Sequence, residues 1–226
     1  MPCVYRVALL GPSGCGRHMQ ARAVAELFHL VHVNFVYLYR QASLRTDAIG
    51  RKIQACKTTY ADIVEILQRR LYQKDCLEQG WILTHFPRNL MEFEVLDHMD
   101  TPPNRVVFLT LSEQQCKKNI IEHDLKGLFQ YSEVGTRCKL NEVEEYFRQE
   151  YNLKKYCGDT AVVVDASGTV EQIQTGIQAA IMAIPSADLV RGSDVASDSI
   201  GEFSSFDYLL NLETESMTGE ARFITE

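Results

Sequence analysis

Gly11-Pro12-Ser13-Gly14-Cys15-Gly16-Arg17-His18 follows the apolar run Val7-Ala8-Leu9-Leu10 and opens a helical pattern from Met19 to Phe28. This is the strand–glycine loop–helix setting in which the motif G-x-x-x-x-G-K-[ST] cradles phosphate. Gly11, Gly14 and Gly16 preserve the backbone requirement. Arg17 stands at the lysine position and His18 at the position of a magnesium-binding hydroxyl. All eight residues form a candidate phosphate site whose fold signal is strong and whose chemistry is altered.

Outward from the loop, helices and strands alternate. Strand 5–10 leads to helix 17–29, an apolar stretch at 30–38, and helical patterns at about 41–56 and 60–78. Trp81-Ile82-Leu83 reads as a buried strand, followed by helix 89–98 and the strongest strand, 105–111. Ser112 and Gln115 have the spacing of a capping box at the start of the next helix. Helix 139–156, strand 161–165 and helix 169–184 close the domain. Continuously apolar strands separated by helices predict a parallel sheet covered on both faces. Ligands of such sheets sit at the carboxyl ends of the strands, where the glycine loop lies.

The chain has 226 residues, of which 46% are hydrophobic, enough for one sizeable α/β core with an appendage. The apolar start is strand-sized and lacks a basic flank, so no signal peptide is expected. No apolar run approaches the roughly 20 residues of a membrane span. The seven cysteines are scattered without a CxxC pair, which points to a reducing, cytoplasmic setting and away from zinc. Residues 1–185 carry 21 acidic and 21 basic side chains, whereas 186–226 carry nine acidic residues and two arginines, the whole net charge of −7. Residues 186–226 read as a mostly disordered acidic tail. No basic patch calls for nucleic acid.

The glycine loop with Gln20, then Leu30-Val31-His32-Val33 and Arg40, Gln79-Gly80-Trp81-Ile82-Leu83, and Phe86-Pro87-Arg88 resemble an adenylate kinase. The stretches 70–88 and 103–109 are similar in particular to the second kinase domain of a two-domain member associated with cilia and flagella. The resemblance covers residues 4–122 well and 140–184 more loosely. It implies a three-layer α/β/α domain over 1–185 on a five-stranded parallel sheet, the P-loop nucleoside monophosphate kinase fold. A monophosphate-binding insertion is expected at about 34–63 and a reduced lid at about 123–138.

By the same resemblance the substrates are ATP and AMP or another nucleoside monophosphate, with Mg²⁺. Arg17 and Arg88 are the candidate catalytic cations, and Arg40, Phe86, Arg88 and Glu92 the candidate monophosphate-binding residues. Phosphoryl transfer depends on positioning and electrostatic stabilisation, so the departures matter. A guanidinium is a bulkier fit than an ammonium at Arg17; the alternatives are that it swings to solvent or pairs with an acid. His18 and Thr84 replace the family's magnesium-side hydroxyl and Asp, and Mg²⁺ prefers carboxylate and phosphate oxygen. Glu92 replaces a glutamine that meets adenine, and a carboxylate only accepts. Asn119, His123 and Asp124 stand at lid arginine positions, with Arg137 a potential stand-in.

Two readings follow: a nucleotide kinase of weakened activity, or a pseudokinase serving as a scaffold, in a ciliary or flagellar axoneme as its relative implies. In the tail, Phe203, Phe206, Leu209, Leu210 and Leu212 share a helical face, so 202–213 is a candidate protein-binding stretch.

Overall fold

The computed structural model describes residues 4–125 and 133–183. The middle of the expected lid, the acidic tail and the 202–213 stretch lie outside the described residues.

Strands β1 (Arg6–Leu10), β2 (Val31–Asn34), β3 (Trp81–Thr84), β4 (Arg105–Thr110) and β5 (Ala161–Asp165) form one parallel sheet in the order β2-β3-β1-β4-β5. Val7 lies opposite Ile82 of β3 and Arg105 of β4, and Leu10 lies opposite Phe108. Alternate side chains point to opposite faces because the strand period is two, though in β5 Val162 and Val163 are exposed. Ala8, Leu10, Val33, Leu83, Val106 and Phe108 face one core; Val7, Leu9, Ile82, Val107, Leu109 and Val164 face the other.

The second core is closed by α1 (Arg17–Phe28) and α9 (Val170–Met182) through Ala21, Val24, Ile173 and Ile177. The first is closed by α2 (Phe35–Ser43), α3 (Ala48–Gln54), α4 (Tyr60–Leu71), α5 (Lys74–Gln79), α6 (Leu90–Asp97) and the end of α8 (Glu133–Cys157). A smaller cluster of Cys116, Ile120 and Val143 joins α7 (Glu113–Leu125) to α8. This is the expected three-layer α/β/α architecture on five parallel strands. Among the described residues no helix is long and apolar enough to cross a membrane.

Several boundaries differ from the periodicity, and caps explain them. The helix expected from 41 begins at Phe35, because the Asn34 side chain accepts from Val36 N at 3.0 Å and Tyr37 N at 3.3 Å. It stops at Ser43; α3 starts after Asp47, whose Oδ1 accepts from Gly50 N at 2.9 Å. These are ordinary Asn and Asp N-caps, the first ahead of the expected helical run and the second inside it. Thr59 and Asp62 form a reciprocal capping box for α4, and Lys52 Nζ meets Asp62 Oδ1 at 2.6 Å, tying α3 to α4. At α7, Ser112 Oγ accepts from Gln115 N at 3.3 Å, but the Gln115 amide donates to Asn119 Oδ1 at 2.8 Å. That box is therefore half made. Residues 123–125 and 133–138, read as lid, belong to α7 and α8.

Candidate functional site

The glycine loop holds its glycines in conformations of positive φ. Gly16, the N-cap of α1, has φ 79° and Gly14 φ 88°, the left-handed region that side chains resist. A Cβ on Gly14 would also lie 2.5 Å from the Cys116 carbonyl oxygen of α7. On that side Asn119 Nδ2 donates to Gly14 O at 2.9 Å. The residue at an expected lid-arginine position thus braces the loop. Beneath it Cys15 is 4% exposed, and burial pushes its thiol pKa up.

Among the described residues Arg17 pairs with no acid, and it does not swing to solvent. Its Nη1 donates to the Gly11 carbonyl, turning the guanidinium back over its own loop. Its Nε is shielded from solvent without a hydrogen-bond partner. Leaving such a donor unmet costs about 1–3 kcal/mol. His85 Nδ1 is also shielded and unpartnered. Burial, with Arg17 and Lys139 as the leading nearby charges, holds the His85 pKa well below its ordinary value, so the ring is neutral. From α8, Glu142 Oε2 accepts from Ser13 Oγ at 2.5 Å and meets Lys139 Nζ at 3.3 Å.

Beside the loop, at the ends of β2 and β3, His18 packs against His32 with ring centroids 5.1 Å apart, and its Nδ1 lies 3.3 Å from Asn34 Nδ2. His32 Nε2 is 3.1 Å from Thr84 Oγ1. Burial, then the charges of His18 and Arg22, lower the His32 pKa to about 4. Thr84 is fully buried. Magnesium does not fit this donor set: Thr84 supplies a neutral hydroxyl already engaged with an imidazole, and His18 a nitrogen, where Mg²⁺ wants anionic oxygen. Among the described residues no group of three or more His, Cys, Asp or Glu side chains is arranged to hold a metal ion.

After β3 the chain turns through a cis Phe86–Pro87 peptide to Arg88. Arg88 Nη2 donates to Glu92 Oε1 at 2.8 Å and its backbone N–H to Glu92 Oε2 at 2.6 Å. The Glu92 side chain is only 4% exposed, and Asn89 caps α6 by accepting from Glu92 N. Glu92 is therefore the partner of Arg88 rather than an acceptor held open for a base. Phe86 is 1% exposed and packs on Phe35 at 5.0 Å between centroids, inside the core. Arg40 lies in the last turn of α2, partly buried. Tyr60, raised in pKa mainly by burial, donates from its hydroxyl to Met91 O beside the Arg88–Glu92 pair. Ser13, Arg17, His85, Lys139 and Glu142 thus converge at the loop, while Arg88 and Glu92 form a second pair after β3. Lys139 and Glu142 escaped the sequence reading; only their helical spacing hinted at a shared face.

No family model matches the chain. Adenylate kinase 8 of Rattus norvegicus is 35% identical over 115 residues, 49% of this chain and 24% of that protein. The match spans about a quarter of that relative's length. An adenylate kinase of Cyanothece is 30% identical over 129 residues, 51% of this chain and 64% of its own. One from Corynebacterium diphtheriae is 26% identical over 176 residues, 74% of this chain and 94% of its own.

Proposed function

Starting from the kinship of this chain with the adenylate kinases, we propose that it binds the phosphates of a nucleoside triphosphate at the glycine loop and transfers phosphoryl groups slowly or not at all. The observation that carries this is the state of Arg17. The loop around it retains a phosphate-binding backbone, while its cation is turned onto the Gly11 carbonyl. Backbone N–H groups and a helix N-terminus suffice to hold phosphate. Fast transfer needs cations and metal aimed at the moving group, and an arginine finger alone is worth roughly 10³–10⁵ in rate. Thr84 and His18 offer no anionic oxygen, and Asn119 braces the loop instead of supplying charge.

The test is calorimetry with ATP, AMP and a bisubstrate analogue, with and without Mg²⁺, beside a coupled assay of ADP formation. Binding of ATP with turnover at least a thousandfold below an ordinary kinase supports the reading. Turnover at ordinary rates, about 1–100 s⁻¹, refutes it.

A second reading, a scaffold without turnover, is favoured by the Arg88–Glu92 pair. That pair places a carboxylate on the arginine expected to grip a monophosphate. A cytoplasmic location follows from the scattered cysteines, and one in a ciliary or flagellar axoneme belongs to this reading through the resemblance alone; imaging of the tagged protein in ciliated cells tests both.

A further inference from the structure

Lys139 and Glu142 lie three residues apart on α8, with side chains only 13% and 15% exposed and Nζ 3.3 Å from Oε2. The same Oε2 accepts from Ser13 Oγ at 2.5 Å, across 129 residues of chain. A partly buried pair of this kind has lost part of its hydration and is favoured where each charge is answered. Here the carboxylate is answered by an ammonium and by the hydroxyl of the phosphate loop. A phosphate oxygen is held by the same two kinds of donor. Lys139 also bears on His85, as Arg17 does, so both cations are close to one neutral ring at the edge of the loop.

We propose that Lys139 is a phosphate-binding cation of the glycine loop, and that Glu142 is an internal anion which the polyphosphate of a nucleotide displaces from Ser13. The assignment rests on the nucleotide-binding reading above. Lysine suits the role because its ammonium is a compact point charge on a flexible stem, able to leave one oxygen for another. Glu142 must withdraw when phosphate arrives, because two anions sharing Ser13 Oγ and Lys139 Nζ repel each other. The loop then holds its ligand between Lys139 and Arg17, while the base of the nucleotide contributes nothing at this point.

Calorimetry on the full chain with ATP and with inorganic tripolyphosphate tests the assignment. Glu142→Gln keeps the shape and removes the competing charge, and is expected to tighten both ligands by about tenfold. Lys139→Met keeps the aliphatic stem and is expected to weaken both by about tenfold. Thermal melts establish that each variant folds; if Lys139→Met does not, the direction of the Glu142→Gln change decides. Wild-type binding that Glu142→Gln leaves unchanged or weakens overturns this assignment while the nucleotide-binding reading stands. No binding of either ligand by the wild type or by Glu142→Gln overturns both. A change seen with ATP and absent with tripolyphosphate also overturns it, because the contacts would then be to the nucleoside.

Discussion

The turns that follow β1 and β3 leave neighbouring strands of the sheet and each presents one arginine, yet the two arginines are held in opposite ways. Arg17 leans on a neutral carbonyl of its own loop and keeps one donor unmet. Arg88 grips a buried carboxylate through its side chain and its backbone N–H. A phosphate can replace a carbonyl contact at modest cost. Separating a guanidinium from a buried carboxylate leaves that charge uncompensated, at about 3–5 kcal/mol when a partner is removed outright. On the proposed reading the β1 turn is the receptive one, and the β3 turn is held by its own Arg88–Glu92 pair.

The largest effect is expected at the loop itself. Gly14→Ala forces a Cβ into the left-handed region and against the Cys116 carbonyl. The expected loss is about 3–4 kcal/mol in urea melts, with loss of ATP binding; a drop under 1 kcal/mol would mean that the loop relaxes freely.

Next in size is the pH response of the histidines beside the loop. The folded His32 pKa is depressed to about 4 from an ordinary 6.5. Between those values the unfolded chain binds more protons, so stability is full above pH 6.5 and falls as pH drops toward 4. The loss is on the order of 2–3 kcal/mol, with His85 acting in the same direction. Melts from pH 7.5 to 4.5 should show this slope and a shallower one in His32→Gln; equal slopes would remove His32 from the account.

At the β3 turn, Glu92→Gln is expected to cost about 2 kcal/mol while releasing Arg88, so that AMP binding strengthens severalfold in calorimetry. Unchanged AMP affinity would show that Arg88 is not what closes this turn. The smallest effect is expected of Asn119→Ala, which removes the donor to Gly14 O and should lower stability by about 1 kcal/mol in the same melts.

The sheet was legible because its strands are continuously apolar and its loop carries glycine where only glycine is at ease. The interrupted helices 35–43 and 48–54 were less so, because Asn34 and Asp47 act through single side-chain caps that periodicity overlooks. Arg88 and Glu92 were both named, and their i,i+4 spacing was open to view; the resemblance drew Glu92 toward a base, whereas burial ties it to Arg88. Lys139 and Glu142 could not be placed from spacing alone. Their partner Ser13 is 129 residues away, and only the packing of α7 and α8 over the loop brings them together.

Cys15 and Cys116 are almost wholly covered, and burial pushes the Cys116 thiol up to about 12 and Cys15 above its ordinary value. Only a thiolate attacks an alkylating reagent, so these covered sulfurs are expected to react slowly while the loop stays packed on α7. Exposed Cys56 offers an internal standard for the reagent. Alkylation of these two sulfurs, timed against Cys56, is expected to report any opening of the loop without a substrate or a turnover assay.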